Sequence, residues 1–187
     1  TGEVLGSLTL DEKAAISAGS GFFTMRGVPR LGIPDWGTTD GPNGARGSSF
    51  LGSGESKATC LPSGSALGAT WNPDLVEALG HVLGKETRTK ACRVLLAPTV
   101  NLHRSPLAGR NFECFSEDPL LSGVLAAAYI RGVQAEGVMT TVKHFVGNEA
   151  ETDRATSNSV IDERALRELY LVPFEYAVRQ GSTLGIM

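Results

Sequence analysis

From residue 70 onward, the hydrophobic positions switch between a helical period and short continuous apolar runs. The segment 72–90 begins with Asn-Pro, an N-cap followed by proline at the first helical position, and then carries apolar residues at helical spacing. Residues 93–100 are apolar on both faces, as in a strand of a parallel sheet. The same order follows again, with a helix predicted over 119–136 and a buried strand over 138–142.

The two ends of the chain extend this pattern. A third helix is predicted to begin at Asp162 and to contain Pro173 in its interior, where proline would kink it. Residues 182–187 are typical of the start of another strand, and near the beginning Thr9 and Glu12 have the spacing of a helix capping box. Alternating strands and helices at this spacing predict a parallel α/β architecture with right-handed crossovers.

Glycine is so frequent in residues 19–68 that we expect loops there rather than helices or strands. Apolar residues recur within the segment, which argues against a flexible linker. These expected anchors are Phe22, Phe23, Leu31, Ile33, Trp36, Phe50 and Leu61.

Composition narrows the classes of function. The 187 residues carry a net charge of −3 without a basic block, which disfavours a nucleic-acid partner. The longest apolar stretches, such as 124–130, are too short to cross a bilayer. Three cysteines without CxxC spacing indicate neither a disulfide framework nor a zinc site. Because the first residue is not Met, the compartment stays open, with a secreted or periplasmic location favoured over the cytoplasm.

Polar side chains cluster where the predicted strands end, in residues 35–46, 101–118 and 143–154. In (β/α)8 barrels, the active site is built at the carboxyl ends of the strands. Acidic and basic groups can each hold a pair of hydroxyls, and an aromatic face covers the C–H side of a sugar ring. These segments therefore favour a pocket for a neutral, polyhydroxylated ligand.

Each candidate also has a structural interpretation. Asp40 can cap the turn formed by DGPNG, and Arg104 and Arg110 can pair with neighbouring carboxylates. Lys143 follows an apolar strand directly, so a structural role would require a definite partner. Four further residues are interpreted first as structural: His81, His103, Glu151 and Arg154.

Four longer motifs carry more information than single residues. They are TDGPNGAR (39–46), LPSGSALGATWNP (61–73), LLAPTVNLHRSPLAGRNFECFSEDP (95–119) and TVKHFVGNEAETDR (141–154). On these motifs the chain resembles the N-terminal catalytic domain of glycoside hydrolase family 3, the β-glucosidase and β-xylosidase family. The resemblance implies an α/β fold of the (β/α)8 barrel type, of which residues 1–187 form the N-terminal portion, with the barrel incomplete. A full barrel takes about 250 residues, so the rest of the barrel and any later domains are expected outside this sequence.

The resemblance also implies roles for individual residues. Asp40 corresponds to the carboxylate that holds two hydroxyls of the sugar in subsite −1, and Met187 to the floor of that subsite. The remaining polar wall would be formed by Arg46, Arg110, Lys143 and His144. Non-proline cis peptides around Lys-His-Phe are a further implication.

The resemblance implies hydrolysis of terminal non-reducing β-D-glycosyl residues with retention of configuration. A β-glucosyl substrate is favoured over a xylosyl or arabinosyl one. Retaining glycosidases use two carboxylates about 5–5.5 Å apart. In this family the nucleophile is the Asp of a Ser-Asp-Trp-like sequence at a strand end. The acid/base Glu of the glucosidase branch lies in a later domain. The chain contains no Ser-Asp-Trp, so no catalytic residue is predicted within it. The expected partners are a carbohydrate substrate and the remainder of the same enzyme. No metal or cofactor is expected. The alternative function is that of a non-catalytic carbohydrate-binding or partner-dependent half-barrel.

Overall fold

The computed structural model describes residues 2–47 and 57–187. Phe50, one of the expected apolar anchors, lies outside these ranges. The helices are α1 (Gly2–Ser7), α2 (Leu10–Ile16), α3 (Gly64–Ala69), α4 (Pro73–Thr89), α5 (Pro119–Ala135), α6 (Glu163–Ala165) and α7 (Val172–Arg179). The strands are β1 (Thr24–Met25), β2 (Trp36–Thr39), β3 (Cys92–Leu95), β4 (Met139–Val142) and β5 (Gly185–Ile186).

The five strands form one curled sheet in sequence order, β1-β2-β3-β4-β5. The pairs β3–β4 and β4–β5 are parallel, as predicted, with helices in the connections. The pair β2–β3 is also parallel, although the sequence did not predict β2. The pair β1–β2 is antiparallel and was not foreseen from the sequence. The result is part of an α/β barrel, and its parallel strands all end at one edge.

Helices α4 and α5 cover the sheet and pack closely on each other. A Cβ on Gly132 would lie 2.1 Å from the Glu77 carbonyl oxygen, and one on Gly80 would lie 2.7 Å from that of Tyr129. The glycines therefore let the two helix backbones approach each other directly. The core between helices and sheet includes Val76, Leu83, Leu95, Leu125, Ile130, Val133 and Val142.

Local capping chemistry explains where the predicted helices begin. Asn72 Oδ1 accepts a hydrogen bond from Leu75 N at 3.0 Å at the start of α4, and Pro73 takes the first helical position. The predicted capping box of Thr9 and Glu12 is present at α2. No helix in residues 2–47 or 57–187 is long and apolar enough to cross a membrane.

Three predicted elements differ from the structure. The glycine-rich segment, expected to be loops, contains β2 and α3, which Ser63 caps by accepting from Ala66 N. The strand predicted over 93–100 is regular only over Cys92–Leu95, although backbone hydrogen bonds to the β4 segment continue as far as Val100. The third helix is interrupted by a π-helical turn over Leu166–Tyr170, and Pro173 lies in the first turn of α7, where a missing N–H is tolerated.

Candidate active site

Asp40 and Lys143 come directly after β2 and β4, at the carboxyl edge of the sheet. Lys143 Nζ donates a hydrogen bond to Asp40 Oδ1 at 2.8 Å. The lysine side chain is 2% exposed and the aspartate side chain 37% exposed. The partner that a structural Lys143 would need is therefore Asp40 itself.

The turn after β2 holds the Asp40 carboxylate in place. Gly41 N donates to Asp40 Oδ1 at 2.9 Å, so Asp40 also makes the turn contact expected of a DGPNG sequence. Gly41 has φ +115°, and a Cβ there would lie 2.0 Å from the Gly44 carbonyl oxygen, so only glycine fits. From α5, the Tyr129 hydroxyl donates to the Pro42 carbonyl at 2.9 Å and anchors the turn to the core.

The pKa of Asp40 lies below its usual value. Burial acts to raise it, but the hydrogen bond and charge of Lys143, the Gly41 N–H and the charge of Arg46 together outweigh burial. Asp40 is therefore an anionic acceptor at neutral pH.

Arg110 lies across from Asp40 and is held by two carboxylates. Its Nε forms an ion pair with Glu113, and its Nη1 lies 3.6 Å from Glu151 Oε1. Glu113 is 5% exposed and also accepts from Thr99 Oγ1 at 2.7 Å. This bracing fixes a guanidinium, with its planar set of donors, at the edge of the site.

His144 follows Lys143 in a segment where the Lys143–His144 and Phe145–Val146 peptide bonds are both cis. Its Nε2 lies 3.4 Å from Arg110 Nη1. Burial, followed by the charges of Arg110 and Lys143, lowers the pKa of His144 to about 4. The imidazole is therefore neutral at pH 7.

A cleft of about 530 Å³ opens at this edge of the sheet. Its lining includes Asp40, Arg46, Arg110, Phe112 and Glu113. The Arg46 side chain is exposed and its guanidinium lies 5.3 Å from the centroid of the Phe23 ring. Lys143 and His144 stand behind this lining and are linked to it through Asp40 and Arg110.

Met187 lies farther along the same strand edge. Its N–H donates to the Val142 carbonyl at 3.0 Å, and its carbonyl accepts from Phe145 N at 2.6 Å. Its side chain is partly exposed. The backbone of Met187 thus joins β5 to the Lys-His-Phe segment, whereas the cleft described above is lined by other residues.

The residues interpreted as structural have definite partners. His81 Nδ1 contacts Glu136 Oε1, and His103 Nε2 contacts two carbonyl oxygens. Arg154 pairs with Glu151 at 2.8 Å, as the loop interpretation predicts, but Glu151 also faces Arg110. Arg104, which was expected either in a carboxylate network or at the ligand, lies over the ring of Tyr170 at 5.6 Å.

Sequence reasoning missed Asn101. Its side chain is 4% exposed and bonds both the backbone and the ring of His144. The pattern that could have identified it is a single amide directly after a buried apolar run, at a strand end where the neighbouring strand carries Lys-His. No group of His, Cys, Asp and Glu within the described ranges has the arrangement of a metal site.

Comparisons with known proteins find similar sequences over nearly the whole chain. A β-glucosidase of Rhizobium radiobacter is 51% identical over 185 residues, and β-glucosidase B of Emericella nidulans is 53% identical over 184 residues. These alignments cover 99% and 98% of this chain, but the chain spans only 22% of the length of each relative.

Solved structures show the same fold. The β-glucosidase of Kluyveromyces marxianus superposes with a TM-score of 0.94 at 43% identity, covering 100% of this chain and 22% of that one. β-Glucosidase 3B of Thermotoga neapolitana, in complex with glucose, gives a TM-score of 0.91 at 40% identity, covering 100% and 28%. The family model described as the glycosyl hydrolase family 3 N terminal domain matches residues 29–187. With residues 29–187 matched by the family model, the chain belongs to glycoside hydrolase family 3.

Proposed function

We propose that this chain supplies the sugar-binding wall of subsite −1 in a retaining β-glucosidase that removes terminal non-reducing β-D-glucosyl residues. The wall consists of Asp40, Arg46, Arg110, Lys143 and His144, with Met187 as part of the floor. The observation that carries the proposal is the buried Lys143 ammonium held 2.8 Å from Asp40, whose carboxylate lines the open cleft.

The chemistry of these groups suits adjacent hydroxyls on a sugar ring. A carboxylate accepts from two neighbouring O–H groups, while ammonium and guanidinium groups donate to the oxygen lone pairs. Hydrogen bonds to charged groups contribute about 1.5–3 kcal/mol each. A neutral sugar thus gains several strong contacts without bringing charge into the cleft.

The catalytic carboxylates belong, in this proposal, to the remainder of a longer enzyme. The chain's Asp-Trp pair is Asp35-Trp36, and Asp35 Oδ1 accepts from Gly27 N at 2.7 Å in a turn contact before β2. The relatives are roughly four to five times as long as this segment, which leaves room for the rest of the barrel and for later domains.

The test is steady-state turnover of 4-nitrophenyl β-D-glucopyranoside by the complete protein carrying Asp40→Asn. The substitution removes the anionic acceptor of two hydroxyls, so we expect kcat/KM to fall by about 10²-fold or more. Asp74→Asn, which removes an exposed carboxylate on α4, is the matched control and should leave kcat/KM unchanged.

Unchanged turnover in Asp40→Asn would contradict the proposed wall. A wild-type complete protein that binds glucose but hydrolyses no aryl β-glycoside would instead support the non-catalytic alternative.

A further inference from the structure

The side-chain amide of Asn101 contacts the backbone and the ring of His144. Asn101 lies a short segment after β3, and His144 lies after β4. Asn101 Oδ1 accepts from His144 N at 3.0 Å, and the ring Nδ1 lies 3.2 Å from the same oxygen. Asn101 Nδ2 donates to the His144 carbonyl at 3.2 Å. The amide is almost fully buried, so solvent does not compete for these contacts.

The partners of the amide fix its orientation. A backbone N–H can only donate and a carbonyl can only accept, so the atom facing His144 N is the oxygen and the atom facing His144 O is the nitrogen. Glu149 Oε1, an acceptor 3.3 Å from Asn101 Nδ2, requires the same orientation. The contact between Oδ1 and the ring Nδ1 is then a hydrogen bond only if Nδ1 carries a proton.

The opposite nitrogen of the ring gives an independent indication. His144 Nε2 faces Arg110 Nη1, and a guanidinium has donors only. Nε2 must therefore present its lone pair. Two neighbours on opposite sides of the imidazole demand the same neutral tautomer.

We propose that Asn101 is a positioning residue of this site, which holds His144 as the Nδ1–H tautomer so that Nε2 accepts from Arg110. The guanidinium is then oriented by acceptors on three residues: His144, Glu113 and Glu151. The expected effect of Asn101 on turnover rests on the proposed function, whereas the expected tautomer of His144 does not.

The tautomer is measured by long-range ¹H–¹⁵N NMR on the complete protein labelled with ¹⁵N-histidine, with the His144 signals assigned from a His144→Gln variant. His103 is an internal reference of opposite kind, because its Nε2 lies 2.8 Å and 3.0 Å from the carbonyl oxygens of Asn111 and Cys114. We expect His144 to carry its proton on Nδ1 and His103 on Nε2. A wild-type His144 protonated on Nε2 would overturn the proposal, whatever the activity of the enzyme.

Substitutions then test the role of the amide. In Asn101→Ala we expect a mixture of His144 tautomers and a kcat/KM on the order of 10-fold lower, while His103 is unchanged. Asn101→Asp keeps an oxygen in the place of Oδ1. Its second oxygen replaces Nδ2 and, when protonated, can donate to the His144 carbonyl or to Glu149, so this variant should retain the Nδ1–H form. Asn158→Ala, which removes an exposed amide, should alter neither measurement.

An Asn101→Ala variant with the wild-type tautomer and kcat/KM would overturn the proposal, as would an Asn101→Asp variant that switches to Nε2–H. If Asn101→Ala does not fold, the wild-type spectrum and the Asn101→Asp variant still decide. Failure of the proposed function would be seen separately, as a wild-type protein with the expected tautomer and no glucosidase turnover.

Discussion

Lys143 and Asp40 form an ion pair of unequal burial: the ammonium is 2% exposed and the carboxylate 37%, although Nζ and Oδ1 are 2.8 Å apart. Both hydrogen bonds that the described residues make to this carboxylate, from Lys143 and from Gly41, end on Oδ1. The lysine acts from inside the protein, and the aspartate is the member of the pair that meets solvent.

This asymmetry predicts that Asp40→Asn destabilises the barrel domain more than Lys143→Met does. Removing the carboxylate leaves a buried ammonium without its countercharge, and breaking a buried pair in this way costs about 3–5 kcal/mol. Removing the lysine leaves a carboxylate that reaches water, so we expect less than half of that loss. Thermal unfolding of the complete protein measures the difference.

The double variant Asp40→Asn/Lys143→Met provides the control for this prediction. It should unfold at a higher temperature than Asp40→Asn alone, because no charge is then left buried. Equal midpoints for the two single variants would contradict the argument from burial.

From the lowered pKa of His144 we expect the folded protein to lose stability in acid. Its pKa in the folded protein is lowered to about 4 by burial and by the charges of Arg110 and Lys143. As the pH falls below about 6.5, the unfolded chain therefore takes up this proton before the folded protein does, which favours unfolding. The stabilisation is full above about pH 6.5 and is lost progressively as the pH falls toward about 4.

In His144→Gln, the loss of stability between pH 7 and pH 4.5 should accordingly be smaller than in the wild type, by about 1–2 kcal/mol after allowance for partial exposure. Urea unfolding at the two pH values measures it. His81→Gln, on α4, removes a histidine outside the site and serves as the matched variant. An acid response in His144→Gln as large as that of the wild type would refute the assignment.

Glu113, a largely buried residue of the cleft lining, should affect both stability and turnover. Its carboxylate is 5% exposed and holds Arg110 and Thr99, so Glu113→Gln weakens the support of the guanidinium. We expect a loss of about 2–3 kcal/mol in unfolding free energy and a kcat/KM lower by on the order of 10-fold.

Glu168→Gln is the comparison for Glu113→Gln, since its carboxylate pairs with Arg164 at 3.0 Å on the surface. Such an exposed pair contributes less than about 0.5 kcal/mol. Similar effects of the two substitutions would show that Glu113 does not brace Arg110.

Substitution of Gly68 on α3 should have a steric effect on the segment that follows Glu113. A Cβ on Gly68 would lie 1.9 Å from the Phe115 carbonyl oxygen, so Gly68→Ala must displace α3 from the segment that follows Glu113. We expect a loss of at least about 2 kcal/mol in unfolding free energy, comparable to overpacking elsewhere in protein cores. Gly6→Ala in α1, where a Cβ meets nothing within 4 Å, should be neutral or stabilising by up to about 1 kcal/mol. If denaturant unfolding ranks the two variants in the opposite order, the close approach of α3 is not important for stability.

Local patterns were enough for the elements whose causes are local. The N-cap Asn72 with Pro73, and the capping box at Thr9, fix helix starts through bonds that span three residues. The buried strands before Asn101 and Lys143 were visible as apolar runs. By contrast, β2 and α3 escaped detection because pairing with β3 and packing against residues 113–115 stabilise them, and the sequence of a glycine-rich segment does not reveal distant partners.

The sequence by itself determined the order of the later helices and strands, the family and the polar residues at the strand ends, because caps, periodicity and motifs act over short stretches of chain. Only the tertiary structure decided how those residues meet. The Asp40–Lys143 contact joins positions 103 residues apart, and Asn101 reaches His144 across 43 residues. Such contacts depend on parallel strands placing their carboxyl ends at one edge, which is a property of the folded sheet and of no single segment.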